Sequence, residues 1–244
     1  MDFKDKVVVI TGAGGGMGRV TALAFAAQGA KLALTDASSK GLEETKALIT
    51  NASVFTGVVD MRSVESIRKW MSEVKQTLGL VQIFANCAGV WHAAPYNEIT
   101  EEHWDFMLSV NLKGNFFFCQ EAMMQMTEAG GGSVVNISST AGEYGSIRAA
   151  SHYAASKGGV IAMSKSLARE GAPSIRVNVI SPGPTDTPML AATEEEKREV
   201  AKRPLVGRLG TPEDMAAAIL YLSNDKIAGY ITGEVLRVNG GSLI

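Results

Sequence analysis

Between residues 136 and 157 the chain reads NISSTAGEYGSIRAASHYAASK, and its last part sets Tyr153 and Lys157 four positions apart. If the segment after Ser151 is helical, that spacing puts a phenol and an ammonium on one face. A free tyrosine titrates near pH ~10 and an adjacent cation favours its phenolate, so a lowered pKa is expected at Tyr153. Such a group can serve as general base toward a hydroxyl or general acid toward a carbonyl. Ser138 and Ser139, where the apolar run SVVNI breaks into small polar residues, can bring a hydroxyl to the same reacting oxygen. The pattern YxxxK is also common on solvated helices, so the surrounding chain has to decide its meaning.

The elements that must position this stretch alternate between strand and helix. Residues 6–11 (KVVVIT) are a β-branched run of the kind buried on both faces of a parallel sheet. A glycine-rich turn over 12–18 follows, then a helix over 19–28 that Gly29 can cap. Strand, glycine turn and helix in that order open a dinucleotide-binding βαβ unit, in which helix amides hold a pyrophosphate. The glycines Gly12, Gly16 and Gly18 of TGAGGGMG depart from the G-x-G-x-x-G spacing, and a plain tight turn is the competing reading. A second strand over 31–35 leads to Asp36, 18 residues beyond Gly18, where a carboxylate bonds the adenosine ribose and repels a 2′-phosphate. No Arg or Lys occupies the next three positions, so NAD is expected rather than NADP, with Lys40 the one cation within reach of a phosphate.

The alternation continues with a helix over 40–49, a strand over 53–59, a helix over Val64–Leu78 and a strand over 81–85. Asp60 can accept from an adenine amino group or, with Ser63, cap the following helix. Asn86, Cys87, Ala88 and Gly89 then stand at the carboxyl end of a strand, where open α/β sheets bind ligands. The bulky loop with Trp91, His92, Pro95 and Tyr96 should border the substrate. Helices over 101–110 and 112–129 are separated at Asn111, a residue unfavourable inside a helix and therefore a sign of a kink or a function. A strand over 133–137 leads to the stretch that holds Tyr153, whose helix runs to 170, and a strand over 175–180 ends at Pro182 and Gly183. Residues 185–208, with Pro188, the charged run TEEEKREVAKR and Pro204, read as a mobile excursion with a short amphipathic helix, a natural lid. A helix over 213–222 and a strand over 234–238 complete the chain.

With 244 residues and 46% hydrophobic content, one domain spanning 1–244 is expected. A net charge of −2 with scattered cations gives no basic stripe for nucleic acid. The amino terminus is neither a secretory signal nor long enough to span a bilayer, so no membrane partner and a cytoplasmic location are expected. Cys87 and Cys119 read as buried thiols, and His92, His103 and His152 follow no ligand pattern, so no metal is expected.

Taken together over nearly the whole chain, TGAGGGMG, NCAG, VNLKG, NISS and YAASK resemble the motifs of the short-chain dehydrogenase/reductase family, compact single-domain branch. The resemblance implies an α/β fold, a Rossmann-type doubly wound, seven-stranded, mostly parallel sheet with helices on both faces. It also implies a catalytic tetrad. Tyr153 would be the acid/base, Lys157 would lower its pKa and bond the nicotinamide ribose, Ser139 would polarise the substrate oxygen, and Asn111 would hold a water linking Lys157 to solvent. The cofactor would lie against Gly12, Gly16, Met17, Gly18, Asn86, Ala88, Gly89, Pro182 and Gly183, with Thr187 or Thr185 at the carboxamide. Ser139 precedes Tyr153 by 14 residues where many relatives have 13; Thr140 would restore the count, but the NISS context favours Ser139. Cys87 replaces an asparagine of the family pattern.

The activity implied is NAD(H)-dependent interconversion of a small-molecule secondary alcohol and a ketone. Trp91, Tyr144 and Met189, with Tyr96 and Leu190, suggest a partly apolar pocket suited to a cyclic or aryl alcohol. The pattern is similar as well to 3-oxoacyl-[acyl-carrier-protein] reductases, although residues 123–130 offer an acidic carrier no Lys or Arg and include Glu128. A catalytically idle NAD-binding scaffold is the alternative of another class. The family likeness further implies a homotetramer packed through helices 112–129 and 151–170, with Met123, Met124 and Met126 at the interface.

Overall fold

The run VVVIT folds as β1 (Val7–Thr11), which buries Val7 and Val9 on one face and Val8 and Ile10 on the other. A strand apolar on both faces must be covered twice, and the chain provides the covers by alternating strands with helices. The computed structural model describes residues 3–244. The further strands are β2 (Lys31–Asp36), β3 (Val54–Val58), β4 (Ile83–Asn86), β5 (Gly132–Ile137), β6 (Ile175–Pro182) and β7 (Val235–Val238). They form one sheet in the order β3-β2-β1-β4-β5-β6-β7, and every neighbouring pair is parallel, where the sequence implied a mostly parallel sheet.

The helices are α1 (Gly16–Ala26), α2 (Ser39–Ala47), α3 (Val64–Leu78), α4 (Glu101–Leu108), α5 (Asn115–Glu128), α6 (Ala141–Tyr144), α7 (Ser151–Gly171), α8 (Glu194–Val200), α9 (Pro212–Ser223) and α10 (Asp225–Ala228). Two apolar clusters divide between the faces. Phe25 of α1 and Met215 and Ile219 of α9 pack on Val8, Ile10, Leu32 and Leu34. Ile67 and Trp70 of α3, Phe118 of α5 and Leu167 of α7 pack on Val9, Phe84, Val134 and Val177. Met126 belongs to this second core, fully buried, which removes it from the expected subunit interface; Met124 is half exposed and free for one.

Sheet order reverses between β1 and β4, because the chain winds outward to β3 and then returns to wind the other way. A crevice opens at the carboxyl ends of strands on either side of such a reversal. Here it is spanned by Thr11, whose hydroxyl donates to Asn86 Oδ1 (2.5 Å) and accepts from the amide of Ala88 (3.1 Å).

One expected break is absent. Residues 101–128 run as one continuous helical rod, with a π-helical turn at Ser109–Gly114 joining α4 to α5. The unfavourable Asn111 is accommodated by widening the helix rather than by ending it.

Candidate active site

The carboxyl end of β5 and the first turns of α7 are fastened to each other by buried polar bonds. Ser138 donates its hydroxyl to the Lys157 carbonyl (2.8 Å), and Lys157 Nζ donates to the Ile137 carbonyl (2.8 Å). A Cβ on Gly142 would lie 2.7 Å from the Lys157 carbonyl carbon, so only glycine lets α6 pass this close to α7. Glu143, next along α6, accepts from Ser181 (2.6 Å) and Arg237 (2.8 Å), which ties α6 to β6 and β7. Burial works to raise the Glu143 pKa, but Arg237 and Ser181 hold it below the ordinary carboxylate value.

Within this frame Ser139, and not Thr140, is the hydroxyl that acts on the Tyr153 phenol, and its Oγ accepts from the Ala141 amide (3.1 Å). The expected lowering of the Tyr153 pKa is not found. Burial raises it, with the Ser139 hydroxyl opposing in part. Lys157 Nζ lies 5.9 Å from the centroid of the tyrosine ring and points its hydrogen bond at Ile137. Burial also pushes the Lys157 ammonium down to about 8. Loss of water moves both groups toward their neutral forms, opposed at Tyr153 by Ser139 and at Lys157 by Cys87. A raised pKa keeps the phenol protonated at neutral pH, the form that can donate to a carbonyl.

Asn111 is held in the π turn by four partners. Its Oδ1 accepts from the Val90 amide (2.8 Å), and its Nδ2 donates to the Val90 carbonyl (2.9 Å), to Ser156 Oγ (3.1 Å) and to Met107 Sδ (3.1 Å). Ser156 in turn donates to the Tyr153 carbonyl (2.7 Å). A Cβ placed on Gly89 would be 3.3 Å from Asn111 Oδ1 and 3.4 Å from Lys157 Nζ, so both polar groups converge there.

A cavity of about 610 Å³ opens above these residues. Ser139, Tyr153 and Lys157 line it, together with Trp91, Tyr144 and Met189, the residues the sequence proposed for the substrate. Gly89, Pro182 and Gly183 line it from the strand ends, and Met17, Thr185 and Thr187 from the side of the glycine turn. Thr185 donates its hydroxyl to the Gly183 carbonyl (3.0 Å), whereas Thr187 faces Gly16 across the turn.

The crevice between β1 and β4 suits a dinucleotide. Gly12 has φ +66°, and a Cβ there would sit 2.8 Å from the Ala88 amide nitrogen. No side chain caps α1 at Gly15, and Gly16 and Gly18 follow in its first turn, so backbone amides face an incoming anion. At the end of β2, Asp36 accepts from the amides of Gly14 (2.9 Å) and Ser38 (2.9 Å). Asn86 is buried behind Thr11. Asp60 is clamped by Arg62 (2.8 Å), whose guanidinium lowers its pKa, while Ser63 is the residue that caps α3. The acidic residue was thus one of two possible caps, and the structure uses the other.

A family model described as Enoyl-(Acyl carrier protein) reductase matches residues 12–242. The 3-oxoacyl-[acyl-carrier-protein] reductase FabG of Thermotoga maritima is 38% identical, covering 100% of both chains. The chain is a short-chain dehydrogenase/reductase. Acetoacetyl-CoA reductase of Synechocystis sp. is also 38% identical, over 98% of this chain and 97% of its own. The crystal structure of levodione reductase superimposes with a TM-score of 0.92 at 34% identity, covering 98% of each chain. As a short-chain dehydrogenase/reductase the protein is a ketone/alcohol oxidoreductase that uses a nicotinamide cofactor.

Several site features escaped the sequence reading. Ser242 and Leu243 line the cavity, brought there from the far end of the chain, beside Val200 and Arg203 of the expected lid segment 185–208. The three histidines also converge. The His92 ring centroid is 4.9 Å from that of His103 and 5.9 Å from that of His152. His152 is fully buried with neither ring nitrogen hydrogen-bonded, and burial followed by its two histidine neighbours lowers its pKa. No set of His, Cys, Asp and Glu among the described residues is arranged to hold a metal ion. Cys119 is buried as expected; Cys87 is half-buried and borders the cavity, and burial pushes its thiol up to about 12, so it is an unreactive wall.

Proposed function

We propose that the protein is an NAD(H)-dependent oxidoreductase interconverting a secondary alcohol and a ketone, with Tyr153 as proton carrier, Ser139 as the substrate-oxygen partner, and Lys157 and Asn111 as supporting groups. The observation that carries this reading is that Ser139, Tyr153 and Lys157 line one cavity together with Met17, within the glycine turn, and Thr187, which faces that turn. When bound, the nicotinamide supplies or accepts the hydride. The chain's part is to place the carbinol or carbonyl carbon and to manage the proton and charge on its oxygen. Ser139 donates to that oxygen. In reduction Tyr153 gives its proton to the developing alkoxide, and in oxidation it takes the hydroxyl proton back. Lys157 and the amides of α1 would hold the cofactor's ribose and pyrophosphate, and Thr187, facing the glycine turn, its carboxamide.

Preference for NAD over NADP is supported by Asp36, whose carboxylate is fixed beside Gly14 at the ribose end of the crevice. Arg19, whose guanidinium reaches the Gly14 carbonyl (2.7 Å), is also occupied by Glu44 (2.8 Å) and Thr45 (2.9 Å). A second reading, a 3-oxoacyl thioester reductase, is favoured by the first two relatives. The surface at the end of α5 supports it weakly, because Lys75 and Arg68 of α3 reach that surface but are neutralised by Glu128 and Glu121. A homotetramer assembled through α5 and α7 completes the proposal, with the half-exposed Met124 available for contact.

The test is initial-rate spectrophotometry of a panel of secondary alcohols, cyclic ketones and 3-oxoacyl thioesters with NAD(H) and NADP(H). Turnover with NAD(H) and a poorer kcat/KM with NADP(H), narrowed in Asp36→Asn, is expected. NADH binding without turnover of any panel member would favour the scaffold reading.

A further inference from the structure

The cavity that holds Tyr153 has three charged side chains in its wall, Lys157, Arg148 and Arg203, and no Asp or Glu. In a chain with 25 acidic and 23 basic residues such a one-signed lining is a departure from the average surface. Other arginines are committed elsewhere. Arg19, Arg62, Arg68, Arg176, Arg208 and Arg237 each meet a carboxylate, and Arg169 and Arg198 bond carbonyls of their own helices. Arg148 lies in the segment between α6 and α7, with its guanidinium 4.9 Å from the centroid of the Trp91 ring. Stacking on a ring leaves the N–H edge of a guanidinium free to donate. Arg203 follows α8, and among the described residues only its backbone amide is engaged, with the Val200 carbonyl (3.2 Å). The acid that feels Arg148, Glu196, has its carboxylate bound to the Thr193 amide (2.8 Å) and hydroxyl (3.0 Å) in a capping box.

We infer that the substrate carries an anionic oxygen group, a carboxylate or the phosphate of a thioester carrier, and that Arg148 and Arg203 bind it while the reacting carbon lies at Tyr153. The inference rests on the reading of this cavity as the alcohol/ketone site and adds the class of molecule it takes. A planar guanidinium with free edges matches either anion through paired N–H donors, and Trp91 beneath Arg148 offers an apolar face to the chain linking the anion to the ketone.

Matched probes separate the sources. Reduction of acetoacetate and benzoylacetate is compared with that of their methyl esters, and acetoacetyl-CoA with the acetoacetyl thioester of N-acetylcysteamine. A kcat/KM higher by about 10- to 100-fold for the charged member is expected in at least one pair, with that ratio falling about tenfold in Arg203→Gln or Arg148→Gln. Preference for the acids assigns a carboxylate; preference for the CoA thioester alone assigns a phosphate. Equal rates within every pair overturn the inference, as does a rise in cofactor KM in the variants that slows charged and neutral substrates alike. If no probe turns over, the reading of the reaction is what fails, and calorimetry of the same pairs with the NADH-bound protein decides the anion claim. Tighter binding of the charged member, lost in Arg203→Gln, sustains it, and equal or absent binding overturns it.

Discussion

The two walls of the cavity are built on different physics. The wall formed by β5, α7 and the π turn is fixed by buried bonds: Ser138 to the Lys157 carbonyl, Lys157 to Ile137, Asn111 to both backbone groups of Val90. Opposite it, the 185–208 excursion is held by exposed ion pairs, Lys197 with Asp186 (3.0 Å) and Lys202 with Glu199 (2.5 Å), and by the Thr193 capping box. Buried polar networks are rigid because an unmade bond there leaves a desolvated group unpaired. Exposed pairs contribute little and are screened by salt. On the proposed reading the proton chemistry falls on the wall that cannot shift, while Met189 and Arg203 stand on the wall that can be rebuilt at small energetic cost.

The comparison is tested most severely by Tyr153→Phe. Loss of the proton carrier should lower kcat by about 10²- to 10⁴-fold, with NADH binding retained in a fluorescence titration; near-normal turnover would move the chemistry off the rigid wall. Next, Gly142→Ala forces a methyl into the backbone of α7, and overpacking of this kind costs about 1–3 kcal/mol. A lowered melting temperature in calorimetry together with reduced kcat is expected, and an unchanged melting temperature would mean that this wall yields.

A pH series gives a third test. With the Tyr153 phenol held protonated by burial, reduction should depend on keeping Lys157 charged, so kcat/KM for ketone reduction falls as pH rises through about 8. Stability has the opposite sign. The Lys157 pKa is lower in the folded than in the unfolded chain, so the unfolded chain binds more protons between about 8 and 10.5, and this residue's contribution to stability rises with pH across that window. Lys157→Met should remove both effects, measured by rate profiles and by denaturant melts. The smallest effect belongs to the other wall. Lys197→Ala, which breaks the pairs with Asp186 and Glu194, should leave the melting temperature nearly unchanged and shift substrate KM by less than about fivefold, with kcat preserved.

The same division explains what could be read from the sequence. Strands came through as β-branched runs, and helix ends through Gly29 and the cap at Ser63, because these signals are local. The grouping of Ser139, Tyr153 and Lys157 was legible only as an ordered set of motifs. What tertiary burial decides was not legible. The tyrosine was expected to feel its lysine neighbour, and instead both feel the loss of water. Glu143 and Arg237, which steady α6, lie 94 residues apart and share no local pattern. Ser242 and Leu243 reach the cavity only because the end of the chain folds back over it.

The π turn at Ser109–Gly114 acts as a phase shift in one continuous rod. Relative to an uninterrupted α-helix it inserts one extra residue, and each residue turns a helix by about 100°. Ahead of it, the register of α4 is set by Met107, whose sulfur meets Asn111 at the site. Behind it, the register of α5 is set by Phe118, Ala122 and Met126 in the sheet's core. Deleting one residue from the turn would restore a regular helix and bring the two halves out of step, so either Asn111 leaves the site or Phe118 leaves the core. The rod thus carries two incompatible phases, and the π turn is where they are reconciled.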